Sequence, residues 1–158
     1  MPTFDSINEI KAEILSKSYT AVRMAQDEAY KIIHRVLEKY YEWEPEYYLR
    51  TERLLNSLVM SSVKPSGNGG VIAEVYFDAS KLDYSKGWVA LKKPFPNGMQ
   101  EGYATWDADK VLNAAMLGAD TATWRNPTAI WDKSVPLLNS KMMKVLKKEL
   151  KNAGIPVK

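Results

Sequence analysis

Apolar residues recur every three or four positions from residue 6 to about residue 42, which is the spacing of one face of an α-helix. Ser6 and Glu9 form the S-x-x-E pattern of a capping box at the start of this run. Pro45 is expected to end this helix, because a proline ring cannot continue the helical hydrogen-bond ladder. Weaker helix formers at 16–20 leave a bend or a break open. The sequence therefore predicts a long N-terminal helix over about 6–42, which either bends or projects toward a partner.

The pattern becomes strand-like beyond this helix. β-branched and aromatic residues dominate at 58–63 and 71–77, and the turn-forming segment KPSGNGG lies between them at 64–70. This order predicts a β-hairpin over about 58–77 whose loop is too long for a tight turn. The next segment, at about 78–104, is rich in Gly, Pro, Asp, Ser and Lys. We expect it to be a long irregular loop that serves as an arm in an assembly.

Helical periodicity returns at about 107–153. A short helix is predicted at 107–117, and a later amphipathic run ends at Gly154. Pro136 interrupts the helical pattern and predicts either a kink or a fresh helix start at Ser134. The order of elements indicates a single α+β domain over 1–158, with a long N-terminal helix and a small antiparallel sheet. We expect the C-terminal amphipathic helix to pack on that sheet.

The composition narrows the kinds of protein that this chain could be. Of the 158 residues, 46% are hydrophobic and 26% are charged, as in an ordinary folded domain. The chain has no cysteine, which excludes disulfides, thiolate metal sites and cysteine nucleophiles. The net charge of +3 is too small to indicate nucleic-acid binding by itself. No apolar run approaches the roughly 20 residues of a membrane span, and no signal peptide is visible, so we expect no membrane association.

Candidate catalytic groups are sparse. His34 is the only histidine, and we expect a surface or boundary side chain with no carboxylate on its helix face to orient it. The glycines at 66–70 precede a strand, whereas a phosphate-binding loop requires a lysine and a helix. Five aspartates lie near turns or helix starts: Asp78, Asp83, Asp107, Asp109 and Asp120. Their spacing is not that of a calcium loop, so we expect turn and cap roles. We predict a protein that is not an enzyme, without a metal or cofactor.

Basic residues form a stripe on the predicted last helix. Its members are Lys141, Lys144, Lys148 and Lys151, with Lys147 beside them. One interpretation is a solvated face that complements the negative end of the helix dipole. The other is a face turned toward nucleic-acid phosphates, where contact would be electrostatic and independent of sequence.

Aromatic residues are numerous, with five tryptophans and nine tyrosines. Trp88, Tyr103 and Trp124 fall in segments without clear periodicity. Two interpretations stay open for them, since aromatic side chains fill cores and also anchor protein–protein contacts.

The segment from Pro45 to Ser57, PEYYLRTERLLNS, carries a family resemblance. It resembles the P-x-x-Y-x-R-T-x-x-L-L-x-S signature of minor structural proteins of phages of Gram-positive bacteria, in the head-to-tail joining or tail-completion family. VLNAAMLG at 111–118 and NPTAIWDKSV at 126–135 resemble two later segments of that family. The order of a long helix, the signature and a hairpin also matches.

The resemblance implies a structural virion protein of a tailed phage, located in the neck or tail and in the host cytoplasm during assembly. Such a protein forms a homo-oligomeric ring, with a hexamer favoured, around the DNA channel at the head–tail junction. Its expected partners are the connector or adaptor, stopper and tail terminator proteins. The basic stripe would then face DNA in the channel. The candidate oligomer-interface residues are Tyr47, Tyr48, Arg50, Trp88, Tyr103 and Trp124.

Other interpretations remain open. The chain could be a tail terminator, a stopper or another minor capsid or tail protein, and a more remote alternative is a small nucleic-acid-binding module that uses the basic stripe. Without the resemblance, Thr51 is interpreted as a helix cap and Arg50 as the partner of a nearby carboxylate.

Overall fold

The structure is a computed structural model that describes residues 6–44, 52–67, 69–82, 108–117 and 129–157. Its helices are α1 (Ile7–Glu42), α2 (Arg53–Ser57), α3 (Ala108–Leu117), α4 (Ile130–Leu137) and α5 (Met143–Asn152). A 3₁₀ helix spans Ala79–Leu82, and a π-helical turn spans Leu138–Met142. The strands are β1 (Leu58–Met60), β2 (Lys64–Pro65), β3 (Val71–Ile72) and β4 (Val75–Phe77). The predicted α+β class is confirmed.

Helix α1 runs without a break for 36 residues, or about 54 Å. The hydroxyl of Ser6 accepts the N–H of Glu9 at 3.3 Å, as one half of the predicted capping box requires. Ser18 belongs to the cluster of weak helix formers, and its hydroxyl donates to the carbonyl of Ile14 at 2.7 Å. This bond satisfies the side chain within the helix. The break considered at 16–20 does not occur.

One face of α1 changes from exposed to buried along the helix. Ala21, Ala25 and Ala29 are buried, whereas Ile7, Ile10 and Ile14 are 71%, 40% and 48% exposed. Ile7 precedes Ala25 by eighteen residues, and Ile14 precedes it by eleven, which are about five and about three full turns. Ile10 precedes Ala21 by eleven residues. The exposed isoleucines therefore lie on the same face that the fold covers from Ala21 onward.

The described residues fall into two compact units. The first draws on Met1–Lys31, Met60–Tyr76 and Leu137–Lys158, and the second on Ile32–Val59 and Phe77–Pro136, as far as each range is described. The first unit buries mainly alanines of α1. The second buries larger side chains: Ile32, Val36, Leu37, Leu54, Leu58, Leu82 and Ile130. The predicted organisation as a single domain stays a prediction, as does the packing of the last helix on the sheet.

The hairpin has the predicted position but a shorter loop. β1 pairs with β4, and β2 pairs antiparallel with β3 through Lys64 opposite Ile72 and Pro65 opposite Val71. The predicted loop at 64–70 is wrong, because its first two residues are strand. Pro65 is tolerated there, since a two-stranded sheet has only edge strands. The turn is closed by the N–H of Ser66, which donates to the carbonyl of Gly70 at 2.8 Å.

A bulge separates the two pairs of strands. The N–H of Ser61 donates to the carbonyl of Glu74 at 2.9 Å. The next pair along the hairpin is Lys64 with Ile72. Between the two pairs, the first strand advances by three residues, from 61 to 64, whereas the second advances by only two, from 74 to 72. The first strand thus carries one extra residue, which interrupts the ladder.

The 3₁₀ helix lies where the irregular arm was predicted to begin. Its Leu82 is fully buried, and the helix contacts both α2 and α3. The ammonium group of Lys81 donates to the carbonyl of Asn56 at 3.3 Å. The predicted arm at 78–104 is therefore wrong at its beginning, because its first five residues are part of the second unit. The remainder, 83–104, lies outside the described residues.

The C-terminal helices continue through Pro136. This residue lies inside α4, which passes into the π-helical turn and then into α5. A π-helical turn accommodates the local irregularity that a proline causes in a helix. The fresh start considered at Ser134 is wrong, since Ser134 lies inside α4. The predicted stop at Gly154 is confirmed by its φ of 76° and by the Ile155 N–H, which donates to the carbonyl of Leu150 at 2.9 Å.

Gln26 joins α1 to the hairpin within the first unit. Its side chain is only 8% exposed, and its amide nitrogen donates to the carbonyls of Ser61 and Glu74, both at 2.9 Å. The N–H of Glu74 donates instead to the hydroxyl of Ser61 at 2.9 Å. The amide thus supplies donors to two carbonyls where the bulge interrupts the ladder.

We predict that Gln26→Leu lowers the free energy of unfolding by about 1–3 kcal/mol, because leucine has a similar size but no donor for these carbonyls. Urea unfolding followed by circular dichroism measures the change. Met24→Leu, at an exposed position on the same helix, should stay within about 0.5 kcal/mol of the native protein. Equal unfolding midpoints for Gln26→Leu and the native protein would contradict the role of this amide.

Candidate functional site

A lysine face covers the exposed side of α5. It consists of Lys144, Lys147, Lys148 and Lys151, whose spacing of three, four and seven residues places them on one side of the helix. All four are exposed. In the described part of the chain, none of their side chains forms an ion pair or a hydrogen bond. The face is therefore a concentration of positive charge that the described chain does not neutralise.

The opposite side of α5 turns toward the protein. Val145, Leu146 and Leu150 are half-buried, and the one acidic residue of the helix, Glu149, is half-buried as well. The predicted stripe is confirmed as a surface, with two adjustments. Lys147 belongs to the face, whereas Lys141 is exposed in the π-helical turn, where the α-helical spacing does not apply.

An apolar stripe, made of Ile7, Ile10 and Ile14, forms a second surface near the N-terminus of α1. Charges of both signs lie around it on the same helix, and Lys17 pairs with Glu13 at 2.6 Å. Isolated exposed apolar residues are ordinary, but three large ones along one helix face are typical of a contact surface. The periodicity of the sequence placed these residues on one face. It did not reveal that the chain leaves them uncovered.

An open groove of about 560 Å³ lies between α1 and the hairpin of the first unit. Its walls are Tyr19, Thr20, Arg23, Gln26 and Asp27 on α1 and residues 60–63 on the hairpin. The lining contains hydroxyls, an arginine and the carboxylate of Asp27, and no histidine is among its residues.

His34 has a carboxylate neighbour. Its Nδ1 lies 3.4 Å from Oε1 of Glu38, one helical turn further on. The prediction that the helix offers no carboxylate to orient His34 is wrong, because Glu38 is four residues away and on the same face. The predicted boundary position is confirmed, since the side chain of His34 is half-buried.

Of the two candidate aspartates that the structure describes, Asp78 has a capping contact and Asp109 lies at a helix start. Oδ1 of Asp78 accepts the hydroxyl of Ser80 at 2.6 Å and its N–H at 3.1 Å, at the start of the 3₁₀ helix. Asp109 lies in the first turn of α3. Asp83, Asp107 and Asp120 lie outside the described residues. Within the ranges that the structure describes, no group of three or more potential ligands could hold a metal ion.

The family signature is described only in its second half. Leu54 and Ser57 are buried, and the Ser57 hydroxyl donates to the carbonyl of Leu54 at 2.7 Å. The N–H of Leu55 donates to the hydroxyl of Tyr41 at 3.3 Å, which links α2 to the end of α1. This half of the segment forms α2, which precedes the hairpin in the sequence and contacts the end of the long helix.

The candidate interface residues of the sequence analysis lie outside the described residues and stay predictions. They are Tyr47, Tyr48, Arg50, Trp88, Tyr103 and Trp124.

Comparison with known proteins gave no match among protein-family models, curated proteins or solved structures. Among the described helices, none combines the length and the apolar character that a bilayer crossing needs.

The Asp78 cap gives a pH-dependent prediction. Hydrogen bonding from the Ser80 hydroxyl lowers the pKa of Asp78 below its ordinary value of 3.8. A lowered pKa in the folded state stabilises the fold above the unfolded pKa, and this contribution is lost as the pH falls through the folded value. Asp78→Ala should therefore be less stable than the native protein at pH 7, and the difference should shrink below pH 4. Urea unfolding at pH 7 and pH 3 measures both differences, and an equal difference at the two pH values would contradict the cap.

Proposed function

We propose that the chain is a structural virion protein of a tailed phage, a tail-completion or neck protein that forms a homo-oligomeric ring around the DNA path at the head–tail junction. A hexamer is the favoured ring size. Neighbours in the particle would be the connector or adaptor, stopper and tail terminator proteins. The protein would occupy the virion neck or tail, after assembly in the host cytoplasm. It has a scaffolding role rather than a catalytic one.

The apolar stripe on α1 is the observation that carries this proposal. In the described part of the chain, one face of α1 is buried from Ala21 onward, whereas Ile7, Ile10 and Ile14 on that face are 71%, 40% and 48% exposed. Transfer of a large aliphatic side chain out of water is favourable by about 1.5–3 kcal/mol when burial is complete. Covering the stripe with another protein surface would therefore stabilise an assembly.

The size of the stripe favours a ring over an isolated pair. Three partly exposed isoleucines from each copy yield only a few kcal/mol, whereas association costs about 4–15 kcal/mol in lost freedom of motion. In a closed ring, every copy makes two such contacts, and opening the ring breaks one without releasing a subunit. A contact that is weak between two copies can in this way hold an assembly together.

The family resemblance is the basis for the proposed location in the virion neck or tail. The described chain contains the long helix, α2 in the second half of the signature and the hairpin, in the order that the resemblance implies. A tail terminator, a stopper or another minor capsid or tail protein would use the same surfaces. The position of this chain in images of the assembled particle separates these alternatives.

We predict that Ile10→Gln combined with Ile14→Gln shifts the protein from an oligomer toward the monomer, because glutamine makes the stripe polar. Glutamine is a good helix former, and both positions are exposed, so the helical circular dichroism should stay unchanged. Light scattering coupled to size-exclusion chromatography, over a range of loading concentrations, measures the molar mass.

Ile72→Gln is the matched control. Ile72 on β3 is 41% exposed, close to the 40% of Ile10, but it lies outside the stripe. This variant should keep the native molar mass. A native protein that stays monomeric at high concentration, or a double variant that assembles as the native protein does, would contradict the proposal.

A further inference from the structure

We propose that the lysine face of α5 binds the phosphate backbone of duplex DNA without regard to base sequence. The inference rests on the proposed function only for the place where DNA meets the protein, since the chemistry of the face is independent of ring formation. It names α5 as the contacting element, and it names backbone phosphates as the groups that are contacted.

Charge density is the first argument. The lysine face spans Lys144 to Lys151, about 10 Å along the helix axis, and carries four exposed cations without partners in the described chain. Lys141 adds a fifth exposed cation before α5. Duplex DNA carries one negative charge per roughly 1.7 Å of its axis, so a short stretch of duplex offers a phosphate to each lysine. The ammonium groups are flexible point charges, which can follow a phosphate backbone of either strand.

The composition of the face favours backbone contact over base readout. Specific contacts to base edges come from arginine and lysine at guanine and from asparagine and glutamine at adenine, so the face offers only lysine for this purpose. Helix α5 has no arginine, and its one amide side chain, Asn152, is its last residue. Contacts from lysine to phosphate position a protein on DNA but carry no sequence information. We therefore expect equal affinity for unrelated sequences.

The opposite face of α5 argues against an anionic membrane as the ligand. Helices that lie on membranes insert an apolar face into the lipid beside their cations. The apolar residues of α5, Val145, Leu146 and Leu150, are half-buried by the protein and lie away from the lysines. An acidic protein partner fits less well too, because the cores of protein interfaces are depleted in lysine and use aromatic or arginine anchors. The face contains neither.

The test measures binding of the full chain to two unrelated 30-base-pair duplexes by fluorescence anisotropy, at salt concentrations from 50 to 200 mM. Each lysine–phosphate contact contributes about −0.9 to the slope of log K against log salt concentration. Four contacts give an expected slope of about −4 for both duplexes. Lys144→Gln with Lys148→Gln should reduce the slope to about −2 and weaken binding in 0.1 M salt by about 60-fold.

Two control variants distinguish an effect of the lysine face on DNA binding from an effect of the overall net charge. Lys31→Gln with Lys39→Gln removes the same charge from exposed positions on α1 and should leave the slope at about −4. Lys144→Arg with Lys148→Arg keeps the charge and should bind as the native protein does. Equal losses in the α1 variant and the α5 glutamine variant, a slope near zero, or a preference for one duplex would overturn the inference.

Two parallel measurements complete the test. Vesicles of phosphatidylserine and phosphatidylcholine should not bind; binding that is lost in the α5 glutamine variant would assign the face to membranes and overturn the inference. Light scattering on the same samples separates this inference from the proposed function. An intact oligomer that does not bind DNA overturns the inference alone, whereas a monomer that binds with the expected slope overturns only the proposed ring.

Discussion

The apolar face of α1 changes from solvent-exposed to buried partway along the helix, and the rest of the described structure depends on this change. The helix extends for 36 residues, and the fold covers its apolar face only from Ala21 onward. From Ala21 to Ala29, this face is lined by alanines, whose small side chains contribute little burial. Polar bonds from α1 to the hairpin therefore matter more there, and Gln26 supplies two of them. Toward the N-terminus, the same face presents isoleucines to solvent.

Long elements were predictable from the sequence because their signals are local. The bounds of α1 follow from its periodicity, the Ser6 cap and the proline beyond its end, and the stop of α5 follows from Gly154. The shortest elements were not predictable. The strand at Lys64 depends on its pairing with Ile72 across the hairpin, and the 3₁₀ helix at Ala79–Leu82 depends on burial of Leu82 against α2 and α3. Such pairings are tertiary and leave little trace in a short window of sequence.

The candidate surfaces were predictable in part for the same reason. Helical spacing alone places Lys144, Lys148 and Lys151 on one side of α5, while the π-helical turn before them, which sets Lys141 apart, had no sequence signal beyond Pro136. Exposure of the isoleucine stripe could not be deduced, because periodicity identifies an apolar face but not the element that covers it. The His34–Glu38 pair was accessible from the sequence, since it needs only the four-residue spacing.

The two proposed contacts, one through the apolar stripe and one through the lysine face, have different physical requirements. A contact through the apolar stripe gains free energy from exclusion of water and is not screened by salt, whereas a contact through the lysine face acts through charge and weakens as salt rises. Under the proposed function, another protein surface covers the stripe in an assembly. Hydrogen–deuterium exchange of the native protein at increasing concentration measures this cover directly. Amides at residues 7–18 should gain protection as the molar mass rises, while those at 21–37 should stay protected throughout. Unchanged exchange at 7–18 in the assembled protein would contradict the proposal.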